Sequence, residues 1–118
     1  MGQFTVIAYE KMNGDKPVEE FINGLDLKMR AKTYGLLVIL QEKGNMLKEP
    51  YSKHLDDGIF ELRCKFGNNI VRVLYFFGSE EQIVMTNGFV KKTQKTPQKE
   101  IRLAKARRAD YLERMRRR

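Results

Sequence analysis

Residues 59–65, 70–77 and 83–89 read as three strands, parted only by the turn signals Gly67-Asn68-Asn69 and Gly78-Ser79-Glu80. Links that short hold no crossover helix, so the three runs are constrained to an antiparallel meander. In the first run, alternation puts Phe60, Leu62 and Cys64 on one face and Glu61, Arg63 and Lys65 on the other. That pattern suits a strand with one buried face.

The chain before the meander has a different period. Residues 4–9 are β-branched and aromatic and precede a turn at Asn13-Gly14, which predicts an opening strand. Asp15 then leads into a short helix with Pro17 at an early position, Val18, Phe21 and Ile22 as its apolar stripe, and Gly24 as its end. A second helix is predicted over 27–43, with Leu27, Ala31, Tyr34, Leu37 and Val38 as its stripe and Gly44-Asn45 as its stop. Residues 36–40 alone equally read as a buried strand; the length of the surrounding pattern selects helix. The segment at His54 is read as a loop. After the meander, Thr96-Pro97 reads as an N-cap and first-turn proline of a helix carrying Ile101, Ala104, Tyr111, Leu112 and Met115. Arg108 interrupts that stripe, which predicts loose docking. The order is strand, two helices, three antiparallel strands, helix: an α+β domain with helices on a sheet. No repeat or linker divides the chain, so residues 1–118 are expected to form one domain, long enough to bury a core without staples.

Cys64 and His54 are the sole cysteine and histidine, which excludes a disulfide framework and a Cys/His zinc cluster. The phase of the strand points Cys64 into the core. Apolar runs are too short to span a bilayer and no signal-peptide pattern opens the chain, so a soluble cytoplasmic protein with no membrane partner is expected. Charge is unevenly placed. Residues 1–60 hold 8 Lys/Arg and 9 Asp/Glu, whereas residues 61–118 hold 15 and 6. Such a balance favours a polyanion, most often nucleic acid, or an acidic protein; the alternative is a solubilising charged tail.

Polar chemistry concentrates on neighbouring strands. Glu61 and Arg63 share one face, Arg72 interrupts an apolar run, and Lys91, Lys92 and Lys95 follow the last strand. A lone arginine among valines and aromatics is costly unless paired or facing a cleft, and an internal salt bridge to Glu61 is the structural alternative. Across the Gly67-Asn68-Asn69 hairpin, Arg63 and Arg72 become cross-strand neighbours, close enough to share one phosphate.

The segment SKHLDDGIFELRCKFGNNIVRVLYFF, followed by NGFVKKTQKTPQKEIRLAKARRADY, resembles the HigB-like, phage-associated branch of the RelE toxin superfamily over roughly residues 50–111. GFVKKTQKTP joined to RVLYFF carries the resemblance. It implies a RelE-like fold and the toxin of a toxin–antitoxin pair: a ribonuclease that cuts messenger RNA on the ribosome and is held by a cognate antitoxin, commonly a helix-turn-helix protein. Superfamily members usually place basic residues on the first meander strand and an arginine on the second, positions matched by Arg63 and Arg72. Lys91 and Lys92 match a basic pair after the last strand.

The chemistry asked of those residues follows from RNA, whose 2′-OH supplies the nucleophile without metal or cofactor. Cleavage needs activation of that hydroxyl, stabilisation of phosphorane charge and protonation of the leaving 5′-oxygen. Arginine forks suit the middle task. Glu61 is a candidate base or a strand-face ion pair; His54 is a candidate acid or base or a surface residue. Phe89 is a candidate base-stacking platform or core residue, and occupies, with Lys91, positions where other branches carry histidine or tyrosine. Lys53, Lys95, Arg102 and Lys105 are candidate RNA contacts. The rest of the last helix, with Arg107, Arg108, Arg114 and Arg116 to Arg118, reads as a backbone-binding surface or a solvated face. A non-catalytic basic binding module is the competing class.

Overall fold

The computed structural model describes residues 4–117. In chain order these form β1 (Thr5–Ala8), α1 (Pro17–Asn23), α2 (Leu27–Lys43), β2 (Ser52–Asp56), β3 (Ile59–Phe66), β4 (Asn69–Phe77), β5 (Gln82–Lys91) and α3 (Gln98–Arg116), with one 3-10 turn at Gly44–Met46. The expected meander is β3-β4-β5. A two-residue turn closes its first hairpin, with Phe66 opposite Asn69 and Gly67 at φ +62°. The whole sheet is mixed and five-stranded, in the order β1-β5-β4-β3-β2, with β1 parallel to β5 at one edge.

β2 is a correction to the reading of that segment as a loop. It pairs antiparallel with β3 through Asp57 and Gly58, both at positive φ (49° and 79°). Those are the angles a tight two-residue hairpin turn requires, and Asp-Gly suits them.

Helices cover both faces of the sheet, which makes β4 buried along nearly its whole length. On one face, Val18 and Ile22 of α1 and Met29, Leu36, Leu37 and Leu40 of α2 pack on Leu62, Cys64, Val71, Val73 and Tyr75. On the other, Ala104 of α3 joins Ile59, Leu74, Phe76 and Val84. Cys64 therefore lies in the core as its strand phase indicated. Gly88 permits the approach of α1, because a Cβ there would stand 2.5 Å from the Phe21 ring.

The buried stripe of α2 is not the expected one. Met29, Thr33, Leu36 and Leu40 face the sheet, while Leu27, Tyr34 and Val38 are exposed. Leu37 alone belongs to both accounts. Asp26 caps this helix by accepting from the Met29 amide at 2.9 Å.

α3 is held more firmly than the interrupting Arg108 suggested. Arg108 bonds the Asp57 carbonyl and carboxylate, and Arg114 bonds Asp110 and the Glu10 carbonyl. Tyr9 donates to Asp110 at 2.6 Å. That bond, with the Arg114 guanidinium second, holds the Asp110 carboxyl below the usual carboxylate range. Leu112 is 48% exposed and leaves the expected stripe. Among the described residues no helix is long and apolar enough to cross a membrane.

Candidate functional site

The register places Arg63 of β3 directly opposite Arg72 of β4, on the face covered by α3. Phe89 of β5 lies beyond Arg72 in the same row and packs against the core cluster on that face. The segment from Lys92 to Pro97 then folds back over these strands. Two like charges so placed need an anion between them, and Glu61 supplies it.

Glu61 is fully buried, and both of its oxygens are engaged. Arg72 Nη1 stands 3.3 Å from each, Arg63 Nε lies 2.9 Å from Oε1 without hydrogen-bond alignment, and the Thr96 hydroxyl donates to Oε2. Both arginines also converge on one backbone carbonyl: Arg63 Nη2 donates to Gln94 O at 2.6 Å and Arg72 Nη1 at 3.1 Å. Carboxylate, two guanidinium groups, hydroxyl and carbonyl form one knot that pins the Lys92–Pro97 segment to the sheet.

This knot corrects several expectations. Thr96 does not cap α3, its hydroxyl being committed to Glu61; Pro97 takes that position, and its ring carries no group that could bond the helix amides. Glu61 makes the ion pair that was one of its two readings, with its side chain fully buried and both oxygens engaged. Arg72 is fully buried, so its fork reaches no phosphate while Gln94 stays in place. Its Nε and Nη2 are buried without a protein acceptor, leaving Glu61 as the anion that compensates its charge.

Arg63 differs from Arg72 in retaining exposure, 15% of its side chain. It opens onto a cleft of about 180 Å³ that is also bordered by Lys53 and Lys95. Lys53 sits opposite Glu61 across the β2–β3 pairing. Three candidate cations thus share one cleft. Lys91 and Lys92 do not border it; both are exposed at the end of β5.

His54 occupies the next position on β2, and strand alternation turns its ring to the other face of the sheet. There it packs edge-on against Phe60, 5.1 Å between centroids, and its Nε2 accepts from the Gly58 amide at 3.1 Å. The structure therefore separates the imidazole from the two arginines, although His54 borders the cleft from its strand. Sequence reasoning missed Gln94 as a shared acceptor; no residue pattern announces a backbone carbonyl. It did single out Thr96, for the wrong bond.

The cations of α3 divide in the same way. Arg102 is exposed and makes no ion pair among the described residues. Lys105 is paired with Asp56, whose carboxyl that bond lowers from its ordinary range. Arg116 and Arg117 pair with Glu113, and Arg118 lies outside the described residues. Arg107 is not a peripheral contact. Its Nη1 donates to the carbonyl of Thr86 at 2.8 Å, where β5 bulges, and its guanidinium lies 5.7 Å from the centre of the Tyr9 ring. Arg107→Ala is expected to cost about 1.5–3 kcal/mol of stability, the loss of a charge-assisted bond to a partly buried carbonyl. Urea unfolding at fixed pH measures it, and an unchanged midpoint would return Arg107 to the surface set.

The arrangement can hold an anion at Arg63, with Lys53 and Lys95 beside it and a rigid buried anchor behind. Residues 20–109 match the family described as Phage derived protein Gp49-like (DUF891). No curated protein matches the chain. Over most of its length, then, this chain is a member of the phage-derived Gp49-like family, a toxin-like family related to the RelE- and HigB-type toxins.

Proposed function

We propose that the protein is the toxin of a type II toxin–antitoxin pair, of the HigB-like branch, and that it cleaves messenger RNA on the ribosome in the cytoplasm as one RelE-like domain. The observation that carries this reading is the convergence of Arg63, Lys53 and Lys95 on one cleft in a chain of a toxin-like family. In the reaction the 2′-oxygen attacks phosphorus and loses its proton, the bond from phosphorus to the 5′-oxygen breaks, and that oxygen is protonated. A 2′,3′-cyclic phosphate and a 5′-hydroxyl result. Arg63 faces the charge that develops on the phosphorane, where a preorganised donor contributes most. Lys53 and Lys95 grip neighbouring phosphates, Lys91 and Lys92 extend the basic track, and Arg102 meets ribosomal RNA. Arg72 and Glu61 act as positioning residues that hold Arg63 and the Lys92–Pro97 segment. The partner is a cognate antitoxin, whose acidic groups offset the basic half of the chain.

One observation favours the binding-module reading instead: the imidazole and the carboxylate expected to move protons are, respectively, on the other sheet face and fully enclosed. Induced expression with 5′-end mapping of cellular transcripts, with and without the neighbouring gene, separates the two. New 5′-hydroxyl ends inside coding regions, suppressed by the neighbour, are expected. Intact transcripts at a toxic expression level would establish the binding module.

A further inference from the structure

β3 outruns its neighbour at the sheet edge. β2 begins at Ser52, opposite Leu62, so from Cys64 to Phe66 the outer side of β3 has no strand beside it. α2 passes beneath this gap, and between helix and strand lies a cavity of about 610 Å³. Leu36, Ile39, Cys64 and Ile70 form its apolar walls, and Tyr51, 53% exposed, also borders it. Gly35 leaves its floor open, since a Cβ there would meet nothing within 4 Å. The size and lining match those of small-ligand pockets, which are mostly apolar with a few polar groups.

The charged residues around the cavity are all cations: Lys32, Arg63 and Lys65 border it, and no carboxylate does. Arg63 and Gln94 are shared with the cleft described above, so the two spaces adjoin at these residues. An apolar slot rimmed by cations, adjoining a phosphate-sized cleft, fits a ligand that alternates flat apolar groups with anions. Single-stranded nucleic acid has that chemistry, and base stacking on an aromatic side chain is tolerant of sequence. We infer that this cavity receives an unpaired base of the RNA strand whose adjacent phosphate sits at Arg63. The inference rests on the ribonuclease reading and adds to it the place where the substrate's base is held.

The test uses the full-length protein and a 2′-O-methyl RNA hexamer, which cannot be cut, beside the same hexamer with its bases removed. In an NMR titration at low salt the intact hexamer is expected to shift the resonances of Gly35, Ile39 and Tyr51 together with those of Lys53, Arg63 and Lys95, and the abasic one only the latter three. Gly35→Leu fills the cavity without a clash at Cβ and with a better helix former, so it folds. It is expected to weaken the intact hexamer at least about fivefold, the low end of one stacked base, and to leave the abasic one unchanged. Equal binding of both hexamers by the wild type, or an unaltered Gly35→Leu, would overturn the base pocket while leaving the ribonuclease reading in place. Loss of antitoxin binding by Gly35→Leu, with RNA binding intact, would overturn it in favour of a peptide site. Base-dependent shifts from a protein that leaves ribosome-bound message uncut would support the pocket and remove the ribonuclease reading alone.

Discussion

Arg72→Ala is expected to lower the free energy of unfolding by about 3–5 kcal/mol, the cost of removing one partner from a buried ion pair. Against a typical total of about 5–15 kcal/mol, that is roughly a fifth of the stability or more. The cause is the carboxylate left behind. Glu61 has no access to water, and after the substitution it keeps only the unaligned approach of Arg63 and the hydroxyl of Thr96. Removing both charges should be milder than removing one. In Arg72→Met with Glu61→Gln, a neutral amide oxygen still accepts from Thr96 and the methionine fills the space of the arginine stem. Urea unfolding of the single and double variants is expected to place the double closer to the wild type. A single variant within about 1 kcal/mol of the wild type would contradict the structural role and return Arg72 to direct phosphate binding.

Such an outcome would not have been anticipated from residue types, because the sequence presented Arg72 with two solutions and no means of choosing. The choice is made by α3 and the Lys92–Pro97 segment, which close over a strand face that alternation marks as polar. Elsewhere the pattern was sufficient. α2 covers the predicted 27–43 and stops at Gly44, and the turn at Gly67 sets the register that puts Arg63 opposite Arg72. The buried side of α2 was illegible for a specific reason. Two stripes share the same spacing, Leu27-Ala31-Tyr34-Val38 and Met29-Thr33-Leu36-Leu40, and the second contains a threonine that argues against burial. In the fold the Thr33 hydroxyl donates to the Met29 carbonyl within the helix, so its burial leaves no donor unmet. β2 was overlooked because an edge strand carrying Lys53, His54 and Asp56 shows no apolar alternation, although Asp57-Gly58 was the signal that would have located it. The misplacement of His54 followed directly, since a loop residue has no face and a strand residue does.

Arg63→Ala is expected to slow cleavage of ribosome-bound message by about 10²-fold or more while the protein stays folded. On the proposed mechanism, two features separate chemistry from stability at Arg63. Its side chain still opens onto the cleft, and its removal leaves Glu61 paired with Arg72 and bonded to Thr96, so no buried carboxylate is stranded. The loss in stability should therefore be well below that of Arg72→Ala. Arg63→Lys keeps the charge but loses the planar fork that bonds Gln94 while meeting a phosphate, so its rate should fall between wild type and alanine. Arg102→Ala serves as the reference for an exposed cation: it should weaken ribosome binding slightly and lower its salt dependence, with the cleavage step intact. Single-turnover cleavage on programmed ribosomes, with melting curves for each variant, distinguishes these cases. A folded Arg63→Ala that cuts at the wild-type rate would take the phosphorane away from Arg63. The charge stabilisation would then fall to Lys53 and Lys95, the other two cations bordering the cleft, and the Glu61 knot would be a purely structural device.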